Sequence, residues 1–92
     1  MNPERLPLGT LVSGEVIAHE RWGVEVRMTA PVPDLLGVID LVWVSDEAPS
    51  ELFGNYPPIG SVVDAVVVAH APNGQIRLST RESDVRRSRE DG

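Results

Sequence analysis

Short segments that alternate apolar and polar residues, broken at Gly and Pro, constrain the fold of this 92-residue chain most. Valine occurs fourteen times, almost always within these alternations or in short runs. Branched side chains fit a pleated strand better than a helix, and a period of two places apolar side chains on one face. The pattern predicts an all-β protein. A domain of this length buries only about 60–65% of its unfolded surface, so a deep catalytic cleft is not expected.

The first three strands are predicted from these alternations. Strands over Leu11–Ala18 and Trp22–Met28 form a hairpin, joined by the polar connection Ala18–Arg21. Gly14, in the middle of the first strand, predicts a bulge or sharp bend. The third strand, Leu35–Val44, is almost continuously apolar and is expected to be buried on much of both faces. Alternation places Trp22 on the same face as the apolar residues of the second strand, namely Val24, Val26 and Met28.

The second half of the chain predicts a further hairpin. Its strands are Ser61–Ala71 and Gln75–Ser79, and Pro72-Asn73-Gly74 between them is a turn signal. Ahead of it, Ser45–Tyr56 predicts one or two helical turns, because Ser45 can cap a helix whose first turn is acidic. Five strands, a short helical segment between the third and fourth, and glycines at bends describe a small five-stranded Greek-key barrel of the OB type.

The two ends of the chain differ from the body. Residues 1–8 contain Pro3 and Pro7 and are predicted to form a loosely held arm. Residues 80–92 are highly charged, with Val85 as the only apolar residue, so we expect a frayed helix or a flexible tail. The folded domain is therefore predicted over residues 9–79.

The net charge of -6 argues against binding nucleic acid through bulk charge alone. Residues 80–92 carry four arginines and four acids, so the body holds four arginines against ten acids and the whole imbalance. The absence of cysteine excludes a disulfide scaffold and a thiolate zinc site, and no motif pairs His19 with His70, so no metal or cofactor is expected. Without a signal peptide or an apolar run of about 20 residues, the chain is expected to be cytoplasmic and without a membrane partner.

Five short motifs resemble those of one known family. The segment Gly9–Val16 is similar to its opening Gly-x-hydrophobic-Val-x-Gly-x-Val, and Trp22–Val26 is similar to its Phe-Gly-Ala-Phe-Val. Three later segments match in order: Gly37–Leu41, Gly60–Ala65 and Gly74–Ser79. The family is the S-one domain, an RNA-binding repeat with the OB fold. The resemblance covers about residues 9–79.

The resemblance also implies where RNA would bind. In this family two aromatics of the second strand stack on bases, a histidine of the third strand flanks them, and basic residues near the last hairpin hold phosphate. The matching positions here are Trp22, Glu25, Asp40 and Gln75. Only Trp22 keeps the family's chemistry. Arg27 and Arg77, which alternation can place on one face with Arg21, join Trp22 and Gln75 as the nucleic-acid-binding candidates.

Two functions remain open at this point. The first is a non-enzymatic S-one-like module that binds single-stranded RNA, weakly or in a modified way. The second is a protein-interaction module, such as an inhibitor, an immunity-like protein or an assembly subunit, in which Glu25 and Asp40 form an acidic docking face for a basic partner. Catalysis lacks support, since nothing in the sequence supplies a nucleophile or a metal beside these acids. The sequence does not predict an oligomeric state.

Overall fold

The computed structural model describes residues 6–47 and 56–91. They form five strands, one turn of 3-10 helix over Leu41–Trp43 and one α-helix. In chain order the elements are β1 (Leu11–Glu20), β2 (Gly23–Ala30), β3 (Leu36–Asp40), β4 (Val62–His70), β5 (Ile76–Ser79) and α1 (Glu82–Asp91). The strands close into a barrel in the order β1-β2-β3-β5-β4. All neighbours are antiparallel except β3 and β5, which are parallel. The prediction of a five-stranded barrel is confirmed.

Alternation along the strands decides which side chains fill the barrel. Inward positions of every strand contribute to one apolar core, and valine supplies much of it. Its most completely buried side chains are Val12, Val16, Val24, Val26, Met28, Ile39, Val67 and Leu78. Burying one such side chain contributes about 1.5–3 kcal/mol, so this core supplies most of the favourable free energy of folding.

Gly14 produces the bend that the sequence predicts. The pairing of β1 with β2 shifts register between Ser13 and Gly14. A Cβ atom at Gly14 would lie 2.4 Å from Val26 Cγ1 and 2.9 Å from the carbonyl oxygen of Arg27. The glycine therefore allows β1 to cross close over β2, which a small closed barrel requires.

The position of the helix corrects the sequence prediction. The α-helix of the described residues lies at the C-terminal end, over Glu82–Asp91, and not between the third and fourth strands. Directly after β3 the described residues make the 3-10 turn Leu41–Trp43, where the amide of Val44 donates to the carbonyl of Leu41. That turn also ends the third strand at Asp40 instead of the predicted Val44. Most of the predicted helical segment, residues 48–55, lies outside the described residues.

Helix α1 packs against the outside of the barrel. Its one apolar side chain, Val85, is buried, and Ser88 Oγ donates to the carbonyl of Gly9. Tertiary contacts thus stabilise a segment whose composition alone does not favour folding. The predicted flexibility of residues 80–92 stays a prediction. Within residues 6–47 and 56–91, no helix has the length and apolar character that crossing a bilayer requires.

The end of the N-terminal segment is also held against the barrel. Leu6 is buried with the core, and its carbonyl accepts a hydrogen bond from His70 Nε2. Its burial shows that the core begins ahead of the predicted domain start at residue 9. Residues 1–5 of the predicted arm lie outside the described residues.

Candidate nucleic-acid interface

Trp22 lies in the tight turn between β1 and β2. Glu20 pairs with Gly23, which leaves Arg21 and Trp22 as the two connecting residues. The sequence places Trp22 at the start of the second strand, whereas in the structure β1 extends to Glu20, β2 begins at Gly23 and Trp22 lies in the turn. Its side chain is 46% exposed. A large aromatic surface is therefore presented to solvent at one mouth of the barrel.

The backbone around this turn is fixed by close contacts. The amide of Leu41 donates to the carbonyl of Trp22 at 2.8 Å. A Cβ atom at Gly23 would lie only 1.9 Å from the carbonyl oxygen of Ile39, so only glycine permits this approach of β2 to β3. The glycine after the tryptophan thus sets where the indole lies relative to the end of β3.

A second set of contacts braces the residue that enters the turn. Tyr56 Oη donates to the carbonyl of Glu20 at 2.7 Å, and burial raises the pKa of Tyr56, which keeps the phenol protonated as a donor. The rings of Tyr56 and His19 meet edge to face at 5.2 Å between centroids. His19 Nε2 donates to the carbonyl of Pro57. The β1–β2 turn is therefore anchored from two sides.

Asp40 and Arg77 meet beside this turn. Asp40 ends β3 opposite Gly23, and Arg77 of the parallel neighbour β5 pairs with Val38. Arg77 Nη1 donates to Asp40 Oδ1 at 2.7 Å, with the side chains 29% and 36% exposed. Arg77 Nε is buried and, among the described residues, has no hydrogen-bond partner. A buried donor without a partner costs about 1–3 kcal/mol, so Arg77 is held here at some cost in stability.

Four side chains line one open depression of about 350 Å³ at this end of the barrel: Trp22, Asp40, Gln75 and Arg77. We call it the Trp22 depression. Gln75 follows a turn in which its own backbone amide donates to Asn73 Oδ1, and no described residue bonds its side-chain amide. The depression therefore combines an aromatic surface, an ion pair and an uncommitted amide.

The other sequence candidates lie outside the lining of the depression. Glu25 of β2, Val38 of β3 and Arg77 of β5 form one outward row across three strands, with the backbones of Glu25 and Arg77 about 10 Å apart. Arg27 bonds Glu15 of β1 at 2.8 Å. Arg21 is exposed in the turn next to Trp22. The structure thus brings together Trp22, Gln75, Arg77 and Asp40, and separates Arg27 from them.

Sequence reasoning missed the pairing of Asp40 with Arg77. The two residues are 37 positions apart and meet only because β3 and β5 are parallel neighbours, which no local pattern encodes. It also gave no role to Gly23, although a glycine directly after an exposed aromatic was an available signal. In the part of the chain that the structure describes, no three His, Asp or Glu side chains cluster as a metal site requires.

A second depression, of about 310 Å³, lies between α1 and β4. It is lined by charged side chains that already bond one another, since Arg89 Nη2 donates to Asp64 and Arg86 Nη2 donates to Glu82. Nearby, Asp46 accepts from both the amide and the hydroxyl of Ser83, and these bonds lower the pKa of Asp46. This region is therefore a packing contact between helix and barrel.

No family model and no curated protein sequence matches the chain. Solved structures do match, and three of them are each 20% identical in sequence. GSP13 from Bacillus subtilis superposes with a TM-score of 0.69 over 86% of this chain and 58% of its own. A chain of the a/eIF2alpha-aDim2p-rRNA complex from Pyrococcus horikoshii superposes with a TM-score of 0.75 over 95% of this chain and 52% of its own. The intact alpha subunit of aIF2 from Pyrococcus abyssi superposes with a TM-score of 0.74 over 96% of this chain and 34% of its own.

These similarities bear on the fold. The chain spans between a third and about three fifths of each of these three chains. The closed barrel and the superposition over most of this chain agree with the fold predicted from the sequence motifs. The chain therefore shares the closed five-stranded barrel of these proteins, as expected for the OB fold.

Proposed function

We propose that this domain is a non-enzymatic module that binds single-stranded RNA at the Trp22 depression. One observation carries the proposal: a tryptophan that is 46% exposed lines the same open depression as an arginine whose side chain is 29% exposed. Stacking of a base on an aromatic side chain contributes about 1–3 kcal/mol, and the indole is the main surface available for it here. The guanidinium is placed to meet a phosphate or a base acceptor.

The charges around the Trp22 depression repel RNA less than the net charge of -6 implies. Asp40, which replaces the family histidine, is bonded to Arg77, so the two charges largely cancel within the depression. Glu25 lies two strands from Arg77, and the exposed Arg21 flanks Trp22. With only one or two arginines near the ligand, we expect modest affinity and a shallow salt dependence, about 0.7 in the logarithmic slope per phosphate contacted.

The comparisons support an RNA ligand only indirectly. One of the structurally similar chains comes from a complex that contains rRNA. At 20% identity this likeness concerns the fold, so the proposal for this chain depends on its own depression.

The protein-docking alternative receives less support. It needs Glu25 and Asp40 to present a joint acidic face, yet Arg77 pairs with Asp40 and Glu25 is half-buried in its row. A basic partner would have to displace an existing ion pair before gaining a new one.

Backbone amide shifts in a titration with a short single-stranded RNA, recorded at low and moderate salt, test the proposal. We expect shifts around Trp22, Asp40 and Arg77 that decrease as salt increases. Trp22→Ala should weaken binding about 5- to 100-fold. Ile59→Ala is the matched control, since Ile59 is 60% exposed but outside the lining of the depression, and it should leave the affinity unchanged. If millimolar oligonucleotide shifts no amide, the RNA proposal is rejected and the docking alternative becomes the better explanation.

A further inference from the structure

The side chain of Asp40 does not cap the 3-10 turn that follows it. It occupies the N-cap position of the 3-10 turn Leu41–Trp43, where aspartate usually accepts a bond from the first amides of the turn. Its side chain makes no such bond. It is directed instead to Arg77 and lines the Trp22 depression.

The bond from Arg77 orients this carboxylate without saturating it. A carboxylate has about four acceptor positions on its two oxygens. Arg77 Nη1 occupies one of them, on Oδ1, and no described residue donates to Oδ2. The side chain remains 36% exposed. Asp40 is thus an acceptor held in place by Arg77, in the lining of the same depression as Trp22.

The four bases differ in what they offer to such an acceptor. Guanine presents two adjacent donors, N1–H and the N2 amino group, which match the two oxygens of a carboxylate. Cytosine and adenine each offer one amino group beside a ring nitrogen whose lone pair faces the carboxylate. Uracil offers a single N–H between two carbonyl oxygens. A carboxylate therefore favours guanine and repels uracil.

Gln75 can supply a donor for the acceptor that guanine carries on the same edge. Beyond its two donors, guanine carries the acceptor O6 on the same edge. The side-chain amide of Gln75 lines the depression, has no bond to a described residue and can donate. Arg77, whose side chain is 29% exposed, is a further donor in the same lining. Donors beside an acceptor reproduce the pattern that the edge of guanine requires.

We propose that Asp40, held by Arg77, makes the Trp22 depression select guanine over the other bases of a single-stranded RNA. This inference rests on the proposed function, because it concerns which base the same site holds. In this proposal, the aspartate at position 40, where the resembling family has a histidine, provides selectivity for guanine.

The test compares hexauridine with the same oligonucleotide carrying a single guanine, adenine or cytosine, titrated against the intact chain by Trp fluorescence. A bidentate contact to the correct base changes the Kd by about tenfold or more relative to a wrong base. We expect the guanine oligonucleotide to bind about tenfold more tightly than hexauridine, with adenine and cytosine between them. Asp40→Asn should abolish this order while leaving the affinity for hexauridine equal or higher, since a negative charge is lost.

Asp34→Asn is the matched control. It removes the same charge at the other end of β3, where the positive φ of Asp34 suits asparagine equally well, and it should keep the guanine preference. If Asp40→Asn does not fold, as judged by its amide spectrum, Asp40→Ser provides a second variant. Equal affinity of the wild-type chain for all four oligonucleotides overturns the inference and leaves RNA binding intact, as does a guanine preference that survives in Asp40→Asn. Failure of every oligonucleotide to bind overturns both proposals.

Discussion

Two faces of this barrel each carry an arginine–aspartate ion pair, and the surroundings of the two pairs differ. On the α1 face, Arg89 bonds Asp64, and on the Trp22 depression, Arg77 bonds Asp40. Both pairs join segments that are distant in sequence, and both are partly exposed. What differs is the set of polar groups around each pair.

On the α1 face the neighbouring groups satisfy one another. Ser83 bonds Asp46, Ser88 bonds the carbonyl of Gly9, and Val85 is buried against the barrel. On the Trp22 depression an indole is exposed and the Nε of Arg77 lacks a described partner. Polar groups that are already satisfied indicate a contact made for packing, whereas unsatisfied groups beside an exposed aromatic indicate a contact made for a ligand. The comparison therefore associates the α1 face with stability and supports the proposal that the Trp22 depression binds a ligand.

Val85→Asp should give the largest effect, and this effect should be on stability alone. A carboxylate forced into the contact of α1 with the barrel lowers the free energy of unfolding by about 2–4 kcal/mol, measured by chemical denaturation. Arg87→Asp changes charge on the same helix at an exposed position and should cost less than about 0.5 kcal/mol. The affinity of the folded Val85→Asp chain for RNA should be unchanged. A parallel loss of RNA affinity would show that the two faces are coupled.

Arg77→Gln should give the next effect, on binding. Loss of a charged donor weakens RNA affinity by about 1.5–3 kcal/mol and lowers the logarithmic salt slope by about 0.7. Arg27→Gln is the matched control, because Arg27 also belongs to an outward-facing strand position and pairs with an acid, but not in the depression. It should leave RNA affinity unchanged and lower the free energy of unfolding by at most about 1 kcal/mol. Equal losses of affinity in the two variants would place the ligand elsewhere.

Glu25→Phe should increase affinity. The change removes a carboxylate and adds an aromatic surface to the row that runs through Val38 to Arg77. One additional stacked base is worth about 1 kcal/mol or more, which an oligonucleotide titration at fixed salt would detect. Glu20→Phe, at the exposed end of β1, controls for the effect of adding an aromatic residue to the surface. An unchanged affinity in a folded Glu25→Phe chain would exclude this row from the interface.

The smallest effect should come from Asp46→Asn. Bonds from the hydroxyl and amide of Ser83 and from Arg81 lower the pKa of Asp46 below its ordinary value of 3.8. A lowered pKa in the folded state means that the ionised form contributes stability above pH 3.8 and that this contribution is lost as pH falls through the folded pKa. The variant should be slightly less stable than the wild-type chain at neutral pH, with a difference that shrinks below about pH 4. A difference that persists unchanged at low pH would show that the carboxylate charge is not responsible.

Local patterns were sufficient to predict the barrel. The five strands, the inward positions of Val12, Val24 and Val26, and the bend at Gly14 depend on the alternation of side chains along each strand. Local patterns left residues 80–92 open between a frayed helix and a flexible tail. Helix α1 is charged along almost its whole length, and tertiary contacts bury Val85 on the barrel.

The candidate site was predicted only in part, for a related reason. Trp22 and Arg77 were selected from the sequence by residue type and strand position. Arg27 was selected on the same grounds, but its side chain bonds Glu15 across the β1–β2 pair. The meeting of Asp40 with Arg77 depends on the parallel register of β3 and β5, which is fixed by closure of the whole barrel.

The placement of β5 between β3 and β4 has a consequence for how a ligand would act on the chain. The Trp22 depression takes one side chain from the first hairpin, one from the end of β3 and two from the last hairpin, so it exists only when the barrel is closed. By mass action, a molecule that binds only the closed state shifts the equilibrium of the entire chain. An occupied depression should therefore raise the midpoint of global thermal unfolding and slow exchange of core amides in β1 and β4, strands that contribute no side chain to its lining.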